Sequence, residues 1–261
     1  MISTPRGKGW FFDVFRKGQG GDPSYASWNH PSWTNPYLDA AVIEQERGRL
    51  PDAVFWTEFG AEFLEKSDAI FRNVRDCATG AWQEPDEGQP YYAGLDLART
   101  IDSTVLVILN SKCEVVFVDQ FNRLDWSLQI NRIKAGTDRF NRAQIYVDST
   151  GVGEPIFESI RAAGCNVWQY GFTTKTKAAL IDNLSLLLEQ RKIVLPRPDL
   201  WPEGIDELES FEYSITDNGS VRTGAPSGTH DDCVIALSLA AWHLRPRPNL
   251  SDGIGVPIIV R

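Results

Sequence analysis

Apolar residues crowd the chain most densely between positions 91 and 121, in three short runs: YYAGLDL (91–97), STVLVIL (103–109) and EVVFVDQF (114–121). Short polar turns divide them, so they predict three strands close enough to pair as antiparallel neighbours. The rhythm then changes. A helix is predicted over 126–135, a strand over 144–148, a helix over 155–163 and a strand over 166–170. Within 174–191, Ala178, Ile181, Leu184 and Leu188 recur at helical spacing. Two alternating segments on either side of Asp217-Asn218-Gly219 predict a hairpin within 210–225. The last predicted element is an almost wholly apolar helix over 231–244. Antiparallel strands followed by alternating helices and strands describe an α/β protein, a mixed sheet flanked by helices.

The first ninety residues follow another pattern. Residues 2–12 read as a strand end, a loop and the start of a helix, and 18–36 as a long connection of Gly, Pro, Ser and Asn with interspersed aromatics. Helices are predicted over 37–49 and 54–65, broken at Leu50-Pro51-Asp52. Residues 77–90 read as a loop and mark a boundary. The expected organisation is a segment 1–36, a linker subdomain 37–89, a main domain 90–245 and a Pro-rich tail 246–261.

With 261 residues and 42% hydrophobic content, the chain can bury a sizeable core. No apolar run approaches the ~18 residues that span a bilayer, and residues 1–12 lack the apolar stretch of a secretory signal, so no membrane partner and a cytoplasmic setting are expected. Cys77, Cys113, Cys165 and Cys233 form no CxxC pair, and His30, His230 and His243 complete no zinc spacing. Buried thiols are expected. A net charge of −9 argues against a uniformly basic nucleic-acid binder. Local patches survive that objection: 123–142 is a basic run and 203–212 an acidic one, and the plain alternative for either is a solvated face.

Chemistry enters with the carboxylates. The stretch THDDCVIALSLAAWHL (229–244) places His230, Asp231 and Asp232 at the mouth of an apolar helix. One acid there can cap the helix by accepting from its first amides. The second needs a partner or a task. Asp96 lies on the first strand of the main domain, where a buried carboxylate needs an ion pair such as Arg99, a turn or a metal. Asp148 closes the strand 144–148 and precedes Ser149-Thr150-Gly151-Val152-Gly153, where a turn or helix cap is the simple reading. That glycine pair lacks the third Gly of a dinucleotide fingerprint. One arrangement accounts for all of them: oxygen ligands from three elements around hard cations, with magnesium or manganese preferred. Two such ions about 4 Å apart suit phosphodiester hydrolysis and require no Ser, His or Cys nucleophile.

These acids in this order resemble the ribonuclease-H-like (RuvC-like) nuclease fold, and the chain is similar to the C-terminal part of the large terminase subunit of tailed double-stranded DNA phages. The match rests on Tyr92-Ala93-Gly94-Leu95-Asp96, on Ile145-Tyr146-Val147-Asp148-Ser149-Thr150-Gly151, and on His230-Asp231-Asp232 before Ala236-Leu237-Ser238-Leu239-Ala240. Further forward, Ser3-Thr4-Pro5-Arg6-Gly7 with Trp10-Phe11-Phe12 resembles the coupling motif late in the terminase ATPase domain, and residues 59–71 resemble the segment leading into the nuclease. No G-x-x-x-x-G-K-[ST] loop is present, so a fragment that does not hydrolyse ATP by itself is expected.

The resemblance implies an endonuclease that cuts concatemeric double-stranded DNA during genome packaging, with two Mg²⁺ or Mn²⁺ ions as cofactors. It implies the small terminase subunit and the portal of the procapsid as partners, in the cytoplasm of an infected host cell. Asp96 would bind both metals and Asp148 one, with Asp231 and Asp232 forming the third side. Asp232 is favoured as the ligand, and His230 stands beside the ligands rather than among them. Thr174, Lys175 and Lys177 open a helix after a strand and are candidates for holding a DNA backbone phosphate; a plain solvated helix start is the alternative. The hairpin at Asn218-Gly219 is a candidate gate for DNA. A junction resolvase or integrase-like nuclease would show similar acids, and a non-catalytic packaging adaptor would use them as caps and buried pairs.

Overall fold

The computed structural model describes residues 2–5, 10–63, 70–98, 103–148, 154–215, 221–224 and 230–245. The tail 246–261, the hairpin tip at Asn218-Gly219, the turn at 149–153, Arg99 and Arg6-Gly7 of the coupling-like motif lie outside the described residues.

The elements in chain order are α1 (Trp10–Gln19), a short 3₁₀ turn (Ser32–Thr34), α2 (Ala40–Arg47), α3 (Asp52–Glu58), α4 (Val74–Cys77), β1 (Ala78–Gly80), β2 (Tyr91–Asp96), β3 (Thr104–Asn110) and β4 (Val115–Phe121). They continue with α5 (Trp126–Arg139), β5 (Gln144–Asp148), α6 (Glu154–Ala162), β6 (Val167–Tyr170), α7 (Thr174–Glu189), β7 (Leu195–Pro196), α8 (Pro202–Ser210), β8 (Glu212–Ile215), β9 (Val221–Gly224) and α9 (Asp232–Trp242).

The main sheet has the order β4-β3-β2-β5-β6. Strands β2, β3 and β4 pair antiparallel, as their short connections demand, whereas β5 joins β2 in parallel and β6 joins β5 in parallel. Side-chain alternation divides the sheet into two faces. Ala93, Leu95, Leu106, Ile108, Ile145 and Val147 point to one core with Ile133 of α5 and Ile160 of α6. Val105, Val107, Leu109 and Tyr170 point to the other, beneath α7, α8 and α9. Helix α9 is apolar all round because every residue from Cys233 to Ala241 is buried.

The expected sheet is present, and β5 has its expected bounds. Helix α5 runs on to Arg139, four residues past the predicted end, with Gly136 and Thr137 buried in its last turns. The basic run is largely paired: Arg132 makes two 2.6 Å bonds to Asp119, Lys134 pairs with Asp138, and Arg139 bridges to Glu84. Helix α3 stops well short of residue 65. At Gly60 a Cβ would meet the Trp56 carbonyl oxygen at 2.6 Å, and Ala61 takes a left-handed φ of 56°, so the chain reverses there.

The acidic run 203–212 is not merely a solvated face. It forms α8, started by Pro202 in its first turn, with Ile205 and Leu208 driven into the core. Residues 77–90 also hold strand β1, which pairs with β7 in parallel. Both strands are too short to leave a periodic signal. The N-terminal elements dock on the end of α7: the Asp52 amide donates to Glu189 Oε2 at 3.1 Å, and Gln190 Nε2 donates to the Gly48 carbonyl at 3.1 Å. All four cysteines are buried and free, as expected. Among the described residues, no helix is long and apolar enough to cross a membrane.

Candidate active site

Two carboxylates meet because of strand register. Gly94 pairs with Tyr146 and Leu95 with Val147 across β2 and β5. One residue further on, at the C-terminal ends of these parallel strands, Asp96 and Asp148 stand side by side on one face, with strands roughly 4.8 Å apart.

The third acidic element is brought in by a close helix–strand contact. A Cβ on Gly94 would lie 1.9 Å from the Ala236 carbonyl oxygen and 2.4 Å from the Ala240 amide nitrogen, so only glycine admits α9 at this depth. Gly94 and Asp96 share a face, about 6.6 Å apart along the strand. Asp232 precedes Ala236 by about one helical turn, roughly 6 Å. Helix and strand run in opposite senses: at the far end of α9, His243 Nε2 donates to the Ala93 carbonyl at 3.2 Å, and its ring stacks on Tyr146 with centroids 4.0 Å apart. Leaving Gly94 in the same direction along both elements therefore arrives at Asp96 on one and Asp232 on the other.

The electrostatics record this convergence. The Asp96 carboxyl is pushed well above the usual carboxylate range, first by burial and then by the charges of Asp232, Asp148 and Asp231, with Lys177 opposing. Asp232 Oδ2 accepts the Ser103 amide at 2.9 Å. Asp231 Oδ2 lies 3.2 Å from Lys177 Nζ, with each side chain about one-third exposed. Lys177 thus sits among the carboxylates, whereas Thr174 and Lys175 are exposed at the start of α7 and His230 is exposed beside Asp231.

The cap reading of the aspartate pair is overturned. Asp231 occupies the N-cap of α9 but its side chain makes no capping bond, and Asp232 is the first helical residue. The first-turn amides of Cys233 and Val234 donate instead to Glu207 Oε2 of α8, at 2.8 and 3.3 Å. Burial lifts the Glu207 carboxyl to about 7, with the bonds from Cys233 and Val234 opposing and the charge of Asp232 adding a smaller upward push. Within the acidic run 203–212 nothing about Glu207 itself distinguishes it from its acidic neighbours. The Ile205 and Leu208 spacing around it was the available signal.

The donor set fits a hard divalent cation, because it consists of carboxylate oxygens concentrated enough to raise the proton affinity of their own centre. Among the described residues, no three His, Cys, Asp or Glu side chains form a ready-made cation cage. Asp232 accepts the Ser103 amide and Asp231 accepts from Lys177, and clustered like charges repel one another.

Comparison with known proteins identifies the fold that carries these residues. The large terminase subunit of Thermus virus P23-45 is 28% identical over 265 residues, covering 92% of this chain and 54% of that protein. The chain thus spans about half the length of that relative. The large terminase nuclease of thermophilic phage G20c, solved with bound magnesium, superposes with a TM-score of 0.63 at 25% identity over 68% of this chain and 98% of that one. The same nuclease has been solved with bound cobalt. The large terminase nuclease domain of Thermus phage P74-26 shares the fold, with a TM-score of 0.60 at 25% identity, covering 66% of this chain and 94% of that one. The mixed sheet is therefore the ribonuclease-H-like sheet of terminase nucleases. The family model of the terminase RNaseH-like domain matches residues 93–244, from the strand that carries Asp96 through the helix that carries Asp232, and the chain belongs to that family.

Proposed function

We propose that this chain is the metal-dependent endonuclease part of a phage DNA-packaging terminase, cutting concatemeric double-stranded DNA with little sequence preference. The observation that carries this reading is the convergence of three carboxylates, Asp148 at the end of β5 and Asp231 and Asp232 at the start of α9, on Asp96 of β2, registered in its raised proton affinity. The magnesium- and cobalt-bound relatives support a divalent cation at such a centre. Two ions, magnesium or manganese, would supply an activated water and stabilise the leaving oxygen of the phosphodiester.

Asp96, lying between Asp148 and Asp232, would hold both ions. Asp148 would hold one and Asp232 the other; Asp232 is the strongest charged influence on Asp96. Asp231, paired with Lys177, forms the outer wall. Lys177 offsets part of the negative charge, and exposed Lys175 and Thr174 meet the DNA backbone. Residues 90–245 form the nuclease, 37–89 a linker, 1–36 a remnant of the ATPase part and 246–261 a tail. The small terminase subunit, the portal and procapsid, and the host cytoplasm complete the setting.

Plasmid cleavage with Mg²⁺ or Mn²⁺ tests the reading. Asp96→Asn is expected to lose cutting down to background while its unfolding midpoint is retained or raised, since it removes one of several clustered like charges. A purified chain that never cuts with either metal sinks the proposal in favour of a packaging adaptor. Lys175→Ala is expected to lower the salt slope of DNA binding by about one ion, and an unchanged slope removes Lys175 from the interface.

A further inference from the structure

We propose that Glu207 is a positioning residue for the nuclease site: from α8 it takes over the cap of α9 and so fixes where Asp232 stands against Asp96. The inference rests on the nuclease reading above and assigns a role to a residue outside the four aspartates.

A helix that starts Asp231-Asp232 would ordinarily be capped by Asp231. Here the Asp231 carboxylate turns to Lys177, and the amides of the second and third helical residues, Cys233 and Val234, converge on one oxygen of Glu207. An oxygen that accepts from first-turn amides closes the helix start as a side-chain cap does, and in its ionised form it also favours the positive end of the helix. The residue that donates the shorter of these bonds, Cys233, directly follows Asp232. Glu207 therefore grips the backbone next to the carboxylate that faces Asp96.

The grip comes from a rigid base. Ile205 and Leu208 anchor α8 in the core, and Gly204 sits against the ring of the buried Trp201. The Cys233 thiol points to Gln120 Oε1 of β4 at 3.7 Å, and the Ser103 amide holds the Asp232 carboxylate itself. Gly94 sets how deeply α9 lies on the sheet; Glu207 sets its first turn. Because the cap is supplied from another helix, both aspartates are spared that task.

The test compares full-chain Glu207→Ala and Glu207→Gln with the wild type by Mn²⁺ binding followed by electron paramagnetic resonance, by amide exchange at Cys233 and Val234, and by cleavage kinetics. In Glu207→Ala we expect faster exchange at both amides and about a tenfold rise in the Mn²⁺ concentration for half-saturation, in binding and in cleavage alike, with the KM for DNA unchanged. Glu207→Gln keeps an oxygen acceptor and is expected to recover most of the loss. A Glu207→Ala chain with a lowered unfolding midpoint but wild-type Mn²⁺ requirement shows a merely structural role and overturns the proposal. Should Glu207→Ala not fold, Glu207→Asp decides, because it keeps the charge but retracts the acceptor; unchanged Mn²⁺ binding there is equally fatal. Binding and exchange are read without cleavage, so a wild-type chain that does not cut refutes the nuclease reading while the role of Glu207 is still judged.

Discussion

Helices α7 and α9 both bring their first turns to the carboxylate cluster, α7 through Lys177 and α9 through Asp232, yet they are closed in opposite ways. Helix α7 closes itself: Thr173 Oγ1 accepts the Thr176 amide at 3.1 Å, and the Thr173 amide donates to Thr176 Oγ1 at 2.7 Å. Helix α9 is closed by Glu207, from a different helix. A local cap consumes the polar side chains beside the helix start, whereas a remote one releases them. At α7 the hydroxyls of Thr173 and Thr176 are spent on the cap, and Thr174, Lys175 and Lys177 are left to reach outward. At α9 the aspartates remain for other partners.

The largest test of this contrast lies at Gly94. Gly94→Ala forces a methyl against backbone atoms of α9 that cannot rotate away, so about 3 kcal/mol or more of stability should be lost, together with cleavage. Denaturant unfolding and plasmid cleavage read both. A folded, fully active Gly94→Ala would mean that the helix is not held by this contact.

A smaller effect is expected at the other end of α9. Burial lowers the His243 pKa from its ordinary 6.5 to about 4, so the folded protein keeps this ring neutral where the unfolded chain takes a proton. Its contribution is complete above about 6.5 and is lost as the pH falls towards about 4. His243→Phe keeps a ring against Tyr146 but cannot titrate, and the stability difference between pH 7 and pH 5 should shrink in urea unfolding. An undiminished difference would show that His243 is not the group responsible.

The smallest effect sharpens the comparison most. Thr173→Ala removes the local cap of α7 and should cost about 1 kcal/mol in unfolding, with no change in the metal concentration needed for cleavage. If it shifts the metal requirement as Glu207→Ala is expected to, the two helix starts do not differ in the way described.

Much of this molecule was legible along the chain because its signals are local. The strand runs at 91, 103 and 114, the helix at 174 and the hairpin around Asn218-Gly219 depend on neighbours two to four residues apart. The missed pieces lacked such a signal. Strands β1 and β7 are too short for any alternation to register. Glu203, Asp206 and Glu209 face solvent and masked the Ile205 and Leu208 spacing that makes α8 a core helix. The end of α3 turned on the chain reversal at Gly60 and Ala61, which propensity alone does not reveal.

The sequence by itself determined the order of the five main-sheet strands and the helices between them, and the presence of acids on three separate elements, because periodicity and residue type are properties of the chain. Only the tertiary structure decided what those acids do beside one another. Register placed Asp96 next to Asp148, the absence of a side chain at Gly94 let α9 down onto the sheet, and Glu207 relieved Asp231 and Asp232 of capping. Hydrogen bonds and like-charge repulsion act over a few ångströms of space, and the residues involved are separated by tens of positions along the chain.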